Sequence, residues 1–133
     1  MSGERLQNLF MACSATLALV YMIGLFVLSS IPGPAQPGDS LLGRLVAQTP
    51  VSIQKLMHVL LYGGLAWLWF WTLEPLKNEP ATRWLLAFLL TAGYGAFNEW
   101  YQLHVPGRFG SCNDILLNST GAIIGLLMAA WLT

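Results

Sequence analysis

The chain has 133 residues, of which 56% are hydrophobic and 9% charged, with a formal net charge of zero. A soluble domain carries roughly 25% charge, so most of this apolar surface is expected to face lipid. The balanced charge gives no support for nucleic acid or for a polybasic lipid anchor, and the length suits one domain over residues 1–133.

Four apolar stretches, at about residues 9–28, 56–73, 84–103 and 115–132, reach the roughly 20 residues that a helical span requires. The expected fold is therefore an all-α membrane protein, a four-transmembrane-helix bundle. Lipid-facing barrel strands would alternate apolar and polar residues, and these runs do not. The first stretch exceeds the roughly 7–15 apolar residues of a signal peptide, and no A-x-A site follows it, so a retained span is expected. Ile31-Pro32-Gly33-Pro34 then forms a helix stop. Asp39 or Ser40 can cap a short helix through Leu41, Leu42, Leu45 and Val46, ending before Pro50. Such a helix would lie in the interface with its apolar side down; an irregular loop is the equal alternative.

The second stretch opens on Lys55, His58 and Tyr62 and holds Trp67, Trp69 and Trp71. Residues 74–82, with Pro75 and Pro80, read as a tight connection without chemistry. The third stretch closes on Asn98, Glu99 and Gln102. Arg108 lies in the next loop, and Asp114 and Asn118 open the fourth stretch. Cys13 and Cys112 fall toward opposite faces, so no disulfide is expected between them. Cys112 reads as a small buried residue rather than a reactive thiol. Gly121 and Gly125 continue the Asp114/Asn118 stripe as a small-xxx-small pattern that admits a neighbouring helix closely, and they point to the fourth span as the central one.

Consecutive spans alternate direction. The start of the second, the end of the third and the start of the fourth therefore share one membrane face. Lys55, His58 and Tyr62 lie on one helix side (i, i+3, i+7), as do Glu99 with Gln102 and Asp114 with Asn118. Ionisable groups at membrane depth are costly and mark functional sites. The candidate site is Lys55, His58, Tyr62, Glu99, Gln102, Arg108, Ser111, Asp114 and Asn118. Residue by residue, plainer readings exist: Asp114 as a helix N-cap, Arg108 snorkelling to the interface, and the whole set as a self-paired network fixing helix register. Loop packing alone does not call for so many polar groups on three helices.

Arg5, Lys77 and Arg83 lie toward one face, and Arg44, Lys55 and Arg108 toward the other. Setting aside Lys55 and Arg108 as members of the polar group puts both termini in the cytoplasm and the group on the outer face of a bacterial inner membrane. Arg108 and Lys55 suit a phosphate or carboxylate. Catalytic candidates are His58, Glu99 and Asp114, with His58 or Glu99 as general base. Ser111 with His58 and Asp114 forms a weaker nucleophilic pattern. With no HExxH or cysteine-pair motif, no metal and no cofactor are expected.

At these residues the chain resembles the VanZ-like family of small bacterial membrane proteins. The resemblance rests on Lys55-Leu56-Met57-His58 with Tyr62, on Glu99-Trp100-Tyr101-Gln102, and on Pro106-Gly107-Arg108-Phe109-Gly110-Ser111 followed by Asp114, Asn118, Gly121 and Gly125. It spans roughly residues 54–127. Gln54 departs from the pattern, since the family often has an acidic residue before the lysine. The resemblance implies an envelope role tied to teicoplanin-type glycopeptide susceptibility, with no chemistry attached. Three functions follow as expectations. The first is binding of a lipid or cell-wall-precursor headgroup in an outward-facing pocket. The second is an intramembrane hydrolase or transferase acting on an amphipathic envelope substrate. The third is a structural subunit that meets another membrane protein, or a second copy, through Gly121 and Gly125.

Overall fold

A computed structural model describes residues 2–33, 38–76 and 79–133. It contains five α-helices: α1 (Gly3–Ser30), α2 (Leu41–Gln48), α3 (Val51–Thr72), α4 (Pro80–Gln102) and α5 (Cys112–Trp131). A 3-10 turn, Glu74–Leu76, follows α3, and there is no strand among the described residues. The expectations placed on Pro34 and Lys77 lie outside the described residues.

Local chemistry sets the helix ends. α1 stops at Ser30, where Ile31 turns extended ahead of Pro32, as a residue before proline prefers. The short helix expected in the first loop is present as α2. Its cap is Ser40, whose hydroxyl accepts from Gly43 N–H at 3.1 Å. Pro50 precedes α3, and Pro80 occupies the first turn of α4, where its missing N–H costs nothing.

α1, α3 with its 3-10 turn, and α5 are long and apolar enough to cross a membrane, with mean hydropathies of 2.2, 1.4 and 1.4. α4 has the length, at 23 residues, but is not among them. Thr91, Asn98, Glu99 and Gln102 dilute its apolar content, and all four are buried in the bundle. Of the four spans expected, apolarity and length therefore mark three.

α3, not α5, is the hub: it packs against α1, α4 and α5, and its tightest partner is α5. Glycine explains this pairing. A Cβ on Gly121 would lie 2.3 Å from the Val59 carbonyl oxygen, and one on Gly125 would lie 2.1 Å from that of Gly63. The glycine stripe, which the sequence offered to a partner or a second copy, is packed against α3 of the same chain. Fully buried Ala66, Ala87, Ala122 and Ala129 extend the close packing around Phe70 and Leu126. Gly125→Ala is expected to lower stability by about 1–3 kcal/mol through overpacking, read as a fall in melting temperature in detergent. An unchanged melt would mean that the helices part without cost. Ile23, Leu89 and Leu127 remain exposed on the outside of the bundle, a surface suited to lipid rather than water.

Candidate functional site

The site forms where α3 begins, α4 ends and α5 begins. His58 Nδ1 lies 2.7 Å from Asn118 Oδ1 on α5 and 3.8 Å from Glu99 Oε1 on α4. Glu99 is 2% exposed. Its Oε2 accepts the Ser111 backbone N–H at 3.3 Å, while its Oε1 has no hydrogen-bond partner. The rings of His58 and Tyr62 are near-parallel, 6.4 Å apart and at 7°. The Tyr62 hydroxyl accepts from Asn98 Nδ2 at 2.8 Å. Gly95 makes room for Asn118, since a Cβ there would come within 3.1 Å of it.

The loop between α4 and α5 is held by backbone. Gly107 sits at φ 73°, a left-handed conformation that glycine adopts freely. Gly33 N–H donates to the Pro106 carbonyl at 2.9 Å. Gly110 lies so close to the Glu99 carbonyl that a Cβ would come within 2.1 Å. Ser111, not Asp114, is the cap of α5: its hydroxyl accepts the Asp114 N–H at 3.0 Å, one half of a capping box. Arg108 reaches across to α1, donating from Nε to the Ile31 carbonyl at 2.8 Å and from Nη2 to the Leu28 carbonyl at 3.5 Å. A cation there complements the helix C-terminus. Burial pulls the Arg108 guanidinium below its ordinary pKa, and the nearby Glu99 carboxylate opposes that shift.

Beside this group opens a cavity of about 300 Å³. Leu25, Leu28, Val46, Ile53, Met57 and Leu61 give it apolar walls, and Gln54, His58, Tyr62, Gln102 and Arg108 give it polar points. The fold thus brings His58, Tyr62, Glu99, Gln102, Arg108, Asp114 and Asn118 to one end of the bundle. The side chains of two expected residues are placed otherwise than expected. Lys55 is exposed at the start of α3, and its neighbour Gln54 lines the cavity instead. The Ser111 hydroxyl is engaged as a helix cap, and no hydrogen bond joins it to His58 among the described residues, so the Ser111–His58–Asp114 pattern is not assembled as a relay. Cys112 is exposed rather than buried, and it and Cys13 are free thiols.

Asn98, 1% exposed, is noted beside Glu99 in the sequence but lies outside the expected site, as do the cavity contributions of α1 and α2. Asn98 could have been included from its place beside Glu99. Although no metal motif is present, one donor atom from each of His58, Glu99 and Asp114 falls within 4.8 Å of the others.

The family model described as VanZ/LLP1 matches residues 10–133. No curated protein and no solved structure matches the chain.

Proposed function

We propose, for a chain that belongs to the VanZ/LLP1 family, that it binds the polar headgroup of a lipid or cell-wall precursor in the cavity beside Arg108 and so modulates glycopeptide susceptibility of the teicoplanin type. The observation that carries this reading is the make-up of the cavity. Its walls are apolar, while Gln54, His58, Gln102 and Arg108 gather at its polar points. That combination suits an amphipathic ligand. Arg108 has five N–H donors and places two of them on carbonyls, which leaves donors for an anionic oxygen.

In this reading α4 is the fourth span and the chain is one membrane domain. Leu85, Leu86, Leu89, Leu90 and Phe97 of α4 are exposed, an apolar outer face opposite the buried polar residues. At about 1.5 Å per residue, its 23 residues exceed a hydrocarbon core of about 30 Å. Both termini lie in the cytoplasm of a bacterial cell and the cavity faces outward, on the strength of Arg5, Lys77 and Arg83 against Arg44.

The test is direct binding in nanodiscs, with phosphate-bearing and neutral headgroups compared. Phosphate-bearing ligands are expected to bind more tightly. Arg108→Ala should weaken them about tenfold, the equivalent of one charge-assisted hydrogen bond, and Gln102→Leu should weaken them less. Equal affinity for both ligand classes, or for wild type and Arg108→Ala, overturns the reading.

A second reading, hydrolysis or transfer on the same ligand, draws on the His58–Glu99 approach, a base beside a cavity. Turnover of a lipid-linked substrate that disappears in Glu99→Gln while binding persists would replace the first reading with this one.

A further inference from the structure

We propose that His58, Glu99 and Asp114 bind a divalent transition-metal cation. Three observations converge. One donor atom from each residue lies within 4.8 Å of the other two, close to the span that ligands about 2.1 Å from a common centre can occupy. Glu99, 2% exposed, has an Oε1 without a hydrogen-bond partner, and that atom lies 3.8 Å from His58 Nδ1. A carboxylate oxygen in a low-dielectric interior normally finds a donor or a cation. His58 Nδ1, 2.7 Å from Asn118 Oδ1 and 3.8 Å from Glu99 Oε1, holds the imidazole at the same site.

Charge points the same way. Two carboxylates meet one imidazole. Lys55 stands exposed, and the Arg108 guanidinium, although near Glu99, places its hydrogen bonds on the carbonyls of Ile31 and Leu28. Among the described residues the ion pair made by Glu99 is with His58. A doubly charged cation balances both carboxylates at once.

One nitrogen and two carboxylates favour Zn²⁺ or Mn²⁺ over Ca²⁺, which prefers an all-oxygen shell. Three side-chain ligands leave a coordination position open. His58 also lines the cavity, so that position can meet an anionic oxygen of a bound ligand. This last step rests on the headgroup reading; the metal site itself does not.

The test uses the metal alone. The full chain, purified in detergent and stripped with chelator, is titrated with ZnCl2, MnCl2, MgCl2 and CaCl2 by calorimetry and thermal melt. Zn²⁺ or Mn²⁺ is expected to bind one to one and to raise the melting temperature, with Mg²⁺ and Ca²⁺ weaker. Glu99→Gln and Asp114→Asn should each weaken binding by at least about tenfold, since even residues behind the direct ligands have effects of that size. Glu99→Gln removes a buried charge, so it is expected to fold without metal and to remain informative if Asp114→Asn does not. His104→Ala, at an exposed histidine outside the trio, serves as the control and should bind as wild type does. Absence of stoichiometric binding overturns the proposal, as does binding that survives Glu99→Gln and Asp114→Asn or that depends on His104. Metal binding that persists while phosphate headgroups fail to bind would retain the site and discard the headgroup reading.

Discussion

Arg108→Ala is expected to destabilise the chain by about 2–3 kcal/mol, the loss of a charge-assisted hydrogen bond that leaves its acceptor without a partner. The acceptor that matters is the Ile31 carbonyl, at 2.8 Å from Nε. The contact with the Leu28 carbonyl, at 3.5 Å, lies at the limit of a hydrogen bond and adds little. Both carbonyls belong to the C-terminal end of α1, where the helix has no N–H of its own to offer. Arg108→Lys should recover less than half of the loss, because an ammonium cannot reproduce the fork of the guanidinium. Equilibrium unfolding in detergent reads this directly. If Arg108→Ala unfolds at the wild-type midpoint, the arginine is not a structural clamp, and its place in the site is for ligand alone.

The second large effect is at His58. In the presence of chelator, His58→Ala is expected to cost about 1–3 kcal/mol, the penalty for leaving buried acceptors without a partner. It strips Asn118 Oδ1 of its 2.7 Å partner and leaves the Glu99 carboxylate with the Ser111 N–H. Glu99→Gln added to His58→Ala should restore much of the loss, since the uncompensated charge is then gone. The decisive quantity is the coupling between the two sites, expected to exceed about 1 kcal/mol. Additive single and double variants would show that His58 and Glu99 act separately despite their 3.8 Å approach.

How much of this was visible in the chain varies by residue, for physical reasons. The apolar runs located α1, α3 and α5, with starts up to six residues late, because length and hydropathy are local properties. Ser40 and Pro50 marked α2 through capping chemistry that also acts locally. The convergence of His58, Glu99, Asp114 and Asn118 followed from alternating spans and helical spacing. Lys55 did not follow, because sharing a helix side with His58 says nothing about whether the first turn is covered by a neighbour. The role of Arg108 on α1 was hidden for a different reason: its acceptors are main-chain carbonyls, which every residue type carries. The Gly121/Gly125 stripe was legible as a close approach, but its partner was not. Gly63 on α3, itself 3.0 Å from the Gly121 carbonyl once given a Cβ, is the complementary signal. α4 is the hardest case, because a helix that turns polar side chains inward reads as less apolar than the surface it presents.

The side-chain attachments of α1 also impose an order of events during synthesis. With a mean hydropathy of 2.2, this helix can enter lipid as soon as it emerges. Its ties arrive later, and all come from downstream. The Leu61 carbonyl that receives the Tyr21 hydroxyl is 40 residues on, the Tyr94 hydroxyl that grips the Met22 carbonyl is 72 residues on, and the Arg108 Nε that closes on Ile31 is 77 residues on. A nascent chain therefore holds its first helix at the middle before it can fasten the end. The tie from Arg108 to the end of α1, beside the cavity wall of Leu25 and Leu28, can form only when the loop after α4 has been translated. In the headgroup reading, ligand capture waits on Arg108, and a ribosome stalled short of it holds an α1 whose end is not yet tied to the loop.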